Sequence, residues 1–204
     1  YTSPHTKPHY LRRLPGFQSK ALVAALVLYL LIGSASAQKE AHNWYFGDHA
    51  AFTFNTEPPS ALDDCAMYTY AGVTSFSDKQ GNLLFYSNGI SVWNSNHEVM
   101  ENGNFTHYFG SSIAALALPF HNDTTKYHLF NISGNGNKNQ KIEIGLFHSV
   151  VEPYYDNGQG RLTNKESFIF GIAYEKMAIT RHANGKDWWI LIHEYPGNNF
   201  HAFL

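Results

Sequence analysis

The stretch "SDKQGNLLFYSNG", Ser77 to Gly89, sets a polar turn before four consecutive apolar or aromatic residues and closes on an Asn-Gly turn. A strand with one wet face alternates apolar and polar side chains, whereas a strand covered on both faces reads as an unbroken apolar run. "LLFY" is of the second kind, and so are "YHLF" (127–130) and "WWILI" (188–192) further along. Each run follows a turn rich in Asn, Asp, Gly or Lys and precedes a strand that recovers partial alternation: "ISVW", "IEIGLF" and "FHAF". The runs begin at Leu83, Tyr127 and Trp188, so the layout recurs at intervals of 44 and 61 residues. Repeats of about 40–50 residues with several strands each are the sequence mark of propeller blades. The segment "EPYYDNGQGRLTNKESFIFG" (152–171) supplies the excess of the second interval as an outer strand and a loop.

The expected fold class is therefore all-β. It is read as a β-propeller fragment of about three blades of four-stranded antiparallel sheet, with a β-sandwich as the alternative. No window beyond residue 38 carries the i, i+3, i+4, i+7 pattern of an amphipathic helix, while turn clusters recur every 8–15 residues. A partial unit precedes the three repeats. "NWYFGDHAAFTFN" reads as one or two strands over 44–55, and "TEPPSALDD" as a loop, because paired prolines stop a strand. Phe203 and Leu204 still lie in a strand pattern, so the expected domain, 38–204, is a partial propeller continued by further blades. Its uncovered end faces predict self-association of those residues alone.

Residues 1–20 carry Lys7, Arg12, Arg13 and Lys20 and no carboxylate, and the next thirteen, "ALVAALVLYLLIG", carry no charge. The small residues Ala35-Ser36-Ala37 and the polar "QKEAHN" follow. This is the layout of a secretory signal peptide over 1–37, with cleavage between Ala37 and Gln38. Thirteen residues at ~1.5 Å rise span about 20 Å, short of the ~30 Å hydrocarbon core that an anchor must cross. Removing those four basic residues from a total of 14 Lys+Arg leaves ten against sixteen Asp+Glu, a net charge of −6 with His neutral. That balance argues against nucleic acid as a partner. The single cysteine, Cys65, excludes an intrachain disulfide and reads as a buried structural thiol, since no neighbouring His or Cys-x-x-Cys activates it.

The chemistry-bearing residues are sparse in pattern. "HEYPG" (His193, Glu194) lacks the second His of a zinc-protease helix and sits in a strand–turn context. His182 and His193 bracket a strand, and His97 and His107 flank a loop. Asp63 and Asp64 are adjacent, so in an extended chain they point to opposite faces and form no acid–base pair. "SGNGNKNQ" is a hairpin loop, because no helix follows it to complete a phosphate cradle. Trp44, Trp93, Trp188 and Trp189 fall within strand runs and read as core packing ahead of a sugar platform. Asn104, Asn122 and Asn131 head Asn-x-Ser/Thr sequons. No catalytic, cofactor-binding or metal-ligating set is expected.

"NWYFGDHAAFTFN", "SFSDKQGNLLFYSNGISVWNSNHEVMENG" and "ITRHANGKDWWILIHEYPGNNFHAFL" together resemble the N-terminal β-propeller region of large secreted and surface proteins of Bacteroidetes. Such proteins often end in a gliding-motility-type or type IX secretion sorting domain. The match is close over Ser77–Gly103 and good over His182–His193, and it covers nearly all of 38–204. The resemblance implies an exported, non-enzymatic binding or adhesive scaffold at the cell surface. Its partners would be a protein or glycan there and the remaining blades and C-terminal domains of a longer chain. It brings no catalytic residues. The alternatives are a propeller-type glycan-active enzyme, with paired inward carboxylates, and the extracellular sensor domain of a receptor.

Overall fold

The run Leu83–Ser87 is a strand, and it is buried along nearly its whole length. Phe85 joins a core cluster with Tyr127, Leu129 and Val151. Its neighbour Tyr86 joins another with Tyr45, Ala51 and Met67. Covering on both faces is thus what makes this run continuously apolar.

The computed structural model describes residues 39–106, 115–133, 145–171, 173–194 and 196–204. The expected signal peptide with its Ala37–Gln38 cleavage site, His107, and all of "SGNGNKNQ" but Ser133 lie outside them. Among the described residues the regular structure is strand, apart from two 3-10 turns, Lys39–Ala41 and Tyr155–Gly158. An N-terminal three-stranded sheet holds β1 (Asn43–Phe46), β2 (Ala50–Thr53) and β3 (Ser60–Leu62). A first antiparallel meander follows: β4 (Thr74–Ser77), β5 (Leu83–Ser87), β6 (Ser91–Asn94) and β7 (Val99–Asn104). A second comprises β8 (Ala115–Pro119), β9 (Tyr127–Ser133), β10 (Gly145–Glu152) and β11 (Arg161–Gly171). The last sheet is β12 (Ala173–Arg181), β13 (Trp188–Glu194) and β14 (Phe200–Phe203).

The all-β expectation holds, and the three-bladed propeller does not. Its blades would be separate sheets, but β7 and β11 pair in parallel at Glu101 and Arg161, which merges the two meanders into one eight-stranded sheet. The described residues of the final unit form three strands. The eight-stranded sheet folds over so that its edge strands β4 and β8 approach each other and the sheet nearly closes. Phe76 of β4 meets the Tyr127 ring at 4.7 Å across the enclosed core. This barrel-like, two-layered arrangement is compatible with the sandwich alternative.

The seam has a local cause. Asn94 is fully buried. Its Oδ1 accepts from the amides of Asn96 and Glu98 at 2.9 and 3.0 Å, and its Nδ2 donates to the Gln159 carbonyl at 3.0 Å. The Glu101 amide then bonds the Gly160 carbonyl at 3.1 Å. Gly160 has φ +72°, and a Cβ there would lie 2.6 Å from Met100 Cε, so any side chain there would be strained.

Turns repeat one device, an Asx side chain bonding its own backbone a few residues on. Asn88 Oδ1 accepts from Ile90 and Ser91 at 2.9 Å each, ahead of Gly89 at φ +79°. Asn184 Oδ1 accepts from Lys186 and Asp187 at 2.9 and 3.0 Å around Gly185 at φ +71°. Against expectation, "TEPPSALDD" is not all loop, because Ser60–Leu62 pairs with β2 immediately after the prolines.

Three core clusters join the sheets in succession. The N-terminal sheet packs on the first meander through Tyr45, whose ring stacks on Tyr86 at 4.5 Å. The two meanders share the cluster of Phe85, Val92, Leu129 and Leu162. The second meander packs on the last sheet through Ile132, Leu146, Met177 and Ile192.

Candidate functional site

The turn that opens the quoted stretch also builds a cleft. Asp78 Oδ1 accepts the amides of Gln80 and Asn82 at 2.8 and 2.9 Å, and Oδ2 accepts from Asn82 Nδ2 at 2.9 Å. Burial pushes the Asp78 carboxyl up, but these bonds together outweigh it and hold the group below the usual carboxylate range. The turn is pinned to the N-terminal sheet by Asn43, whose Nδ2 donates to Ser77 Oγ at 2.9 Å and to the Gly81 carbonyl at 2.8 Å. Side chains and backbone of Phe76–Gln80 thereby form one wall of a cleft of about 670 Å³.

The other walls come from far along the chain. Glu40 and Ala41 enter from the first 3-10 turn, Ala117–Pro119 from β8, Thr124 and Tyr127 from the next hairpin, and Tyr154 from the turn after β10. Arg181 and Trp188 close the cleft from the last sheet. The Arg181 guanidinium lies 4.7 Å from the centroid of the Trp188 ring, and Nη1 reaches the Gly185 carbonyl at 3.4 Å. That stacking fixes a long side chain that would otherwise be free to rotate.

The Tyr127 phenol is held well above its ordinary pKa by burial, then by Tyr154, Asp78 and Glu40, and Tyr154 is raised by burial and by Asp78. Both phenols are thus protonated donors or acceptors at any neutral pH. Glu40 Oε2 is buried without a hydrogen-bond partner, and Glu40 is among the residues that line the cleft. The lining brings together four aromatic residues (Phe76, Tyr127, Tyr154, Trp188), the carboxylates of Glu40 and Asp78, and the amide and guanidinium of Gln80 and Arg181. A lining that mixes aromatic with charged and amide side chains suits a ligand with both an apolar face and hydroxyl groups.

The residues singled out in the sequence are dispersed. His97 sits at the end of an aromatic stack of Tyr45, Tyr86 and Trp93, with Nε2 3.3 Å from Asp64 and Nδ1 3.2 Å from the Tyr86 hydroxyl. Tyr45 donates to Asp64 at 3.2 Å, and burial pushes the Tyr86 phenol up to about 12. Cys65 is buried beside this stack, its thiol pushed up by burial, as expected of a structural cysteine. His182 accepts the Asn184 amide at 3.1 Å within its turn. His193 packs on Phe200, while Glu194 accepts from His201 at 2.7 Å. No group of three or more His, Cys, Asp or Glu able to hold a metal ion occurs among the described residues.

The tryptophans divide. Trp93 is stacked inside and Trp188 lines the cleft, but Trp44 and Trp189 are exposed at 52% and 36%, contrary to the core placement expected for them. Of the sequons, Asn131 is buried in β9 and closed to modification in the folded chain, whereas Asn104 and Asn122 are exposed.

Sequence reasoning missed a histidine pair. His128 Nδ1 lies 2.9 Å from His148 Nε2, diagonally across β9 and β10. His128 also stacks on Phe120, with centroids 3.7 Å apart. Burial, then the neighbouring His128, pushes His148 down to about 4. The only signal was their common strand face, which becomes visible once the register is known. A comparison of the chain with protein-family models, with curated proteins and with solved structures returns no match.

Proposed function

We propose that this chain is an exported, non-enzymatic binding scaffold of the cell envelope or surface, and that the cleft beside Asp78 takes a glycan. The observation that carries the reading is the meeting of four aromatic side chains with Glu40, Asp78, Gln80 and Arg181 in one cleft. Sugars present a C–H face that packs on aromatic rings and hydroxyl edges that need planar donors and acceptors. Export rests on the charge and hydropathy layout of 1–37, and the surface address also on the resemblance carried by Ser77–Gly103 and His182–His193.

The test is an immobilised panel of bacterial surface and host polysaccharides, followed by calorimetry on whichever sugar is retained. Gln80→Ala, an exposed side chain at the cleft rim, should weaken that sugar about tenfold at unchanged thermal stability. Retention that is indifferent to Gln80→Ala and Arg181→Ala would remove the cleft from the reading. Release of reducing ends from a bound polysaccharide would replace the scaffold with a glycan-cleaving enzyme. Intact mass of protein recovered outside the cytoplasm should begin at Gln38; material that keeps residues 21–33 would overturn the export step.

A further inference from the structure

His128 and His148 meet on the face of the second meander that also carries Phe130 and Leu146. Nδ1 of the first and Nε2 of the second are 2.9 Å apart, and the ring planes are inclined at 40°. Aromatic neighbours hold both imidazoles: Phe120 stacks on His128 with centroids 3.7 Å apart, and Phe130 lies 5.0 Å from His148. Both histidines are partly exposed, so the pair is within reach of solvent. A third side chain addresses it from β11, where Asn164 Nδ2 lies 3.4 Å from His148 Nδ1, the ring nitrogen not engaged with His128. Asn164 has φ +44° and Glu166 φ +52°, left-handed conformations that residues other than glycine rarely adopt, and the β10–β11 register shifts between His148 and Val150. The bulge is tied down on both sides. The Glu166 amide donates to Ser149 Oγ at 3.0 Å, and its carboxylate accepts from the Thr106 amide and hydroxyl at 2.8 and 2.7 Å. Bulges re-aim side chains, and strained backbone held by its surroundings gathers at binding sites. The side chain re-aimed here is Asn164.

We propose that His128 and His148 form a two-imidazole site for a divalent transition-metal ion, with Asn164 as the residue that orients His148. The donors are His128 Nδ1 and His148 Nε2. A cation about 2.0–2.1 Å from each of two nitrogens 2.9 Å apart subtends about 90° between them, whereas a tetrahedral centre needs the nitrogens about 3.4 Å apart. A right angle belongs to neighbouring positions of a square-planar or octahedral sphere, which favours Cu2+ or Ni2+ over Zn2+. Binding turns both rings so that their lone pairs aim at the ion instead of sharing one N–H. The remaining proton of His148 then sits on Nδ1. A half-turn of the Asn164 amide lets Oδ1 accept it, while Nδ2 takes over Ser167 Oγ, the present partner of Oδ1 at 2.9 Å. Water fills the other positions, so the ion stays open to a further ligand.

Calorimetric titration of the full chain with Cu2+, Ni2+ or Zn2+, each added alone, tests this. Ni2+ should saturate a site that binds Zn2+ less tightly. His128→Gln and His148→Gln should each weaken Ni2+ at least tenfold, and Asn164→Ala about tenfold, as loss of an orienting partner does. His201→Gln, at the remote contact with Glu194, should leave it unchanged. A second readout needs no variant and so does not depend on how the variants fold. Substoichiometric Cu2+ should broaden the ring-proton resonances of His128 and His148 in the native chain before those of the other ten of its twelve histidines. Absence of saturable uptake, undiminished affinity in either histidine variant, tighter binding of Zn2+ than of Ni2+, or broadening that begins at other histidines overturns the proposal.

Discussion

β5 and β13 are built from nearly the same kind of sequence, "LLFYS" and "WWILIHE", and meet opposite surroundings. In β5 Phe85 and Tyr86 point to opposite faces and are both wholly buried. In β13 Ile190 and Ile192 are buried, but Trp189 and Leu191, which alternate with them, are half-exposed. The difference is what lies beyond the sheet. β5 has the N-terminal sheet on one side and the second meander on the other; among the described residues β13 has the second meander on one side and nothing packed on the other. An apolar run therefore states that a strand can be covered twice, and only the packing decides whether it is.

The largest expected effect breaks the doubly covered strand. Phe85→Ala removes a fully buried ring that touches Tyr127 at 5.4 Å and Phe76 at 6.0 Å, and should cost about 3–5 kcal/mol in denaturant unfolding. An unchanged midpoint would show that the strand is not packed on that side. Next in size, Ile192→Ala on the covered face of β13 should cost about 2–5 kcal/mol.

A third experiment probes the covered side of the second meander by pH. His148 has a folded pKa of about 4, below its unfolded value near 6.5, so the unfolded chain binds the proton first. Stability is complete above about pH 6.5 and falls as pH drops towards 4. Partial solvent screening limits the loss to about 1–3 kcal/mol. His148→Gln should flatten that stretch of the stability profile; a parallel profile in the variant would show that the pair is not the cause. The smallest effect falls on the open side. Leu191→Thr should change the stability of the chain by no more than about 0.5 kcal/mol, and a loss approaching that of Ile192→Ala would mean that the face is covered after all.

Much of the local structure was legible. The turns at Asp78, Asn88 and Asn184 follow from Asx residues and glycines at fixed offsets, and the burial of Phe85, Tyr127 and Leu129 from continuous apolar runs. What joins these pieces was not legible. The seam between β7 and β11 depends on Asn94 finding the Gln159 carbonyl 65 residues away, and "DNGQG" reads locally as an ordinary loop. The cleft was hidden for the same reason. Glu40, Asp78, Tyr154 and Trp188 share no motif, because segments scattered from Glu40 to Trp188 contribute its lining and only the stacking of sheets brings them together. The exposed Trp44 and Trp189 were misplaced because a β-strand pattern assigns alternate residues to two faces without saying which face meets water.

The narrow seam also sets an order of events. Each meander consists of hairpins whose strands are neighbours in sequence, so their closure loops are short and their contacts local. The seam instead joins Glu101 to Arg161 across the whole of the second meander, through a single register position. Loop-closure entropy is charged before such a long-range contact returns anything, so the meanders form early and the seam closes late. Run in reverse, the same entropy makes the pairing of β7 with β11 the first to open. Amide exchange at Glu101, which bonds across the seam to Gly160, should then outpace exchange within β9 and report the detachment of one meander while both remain folded.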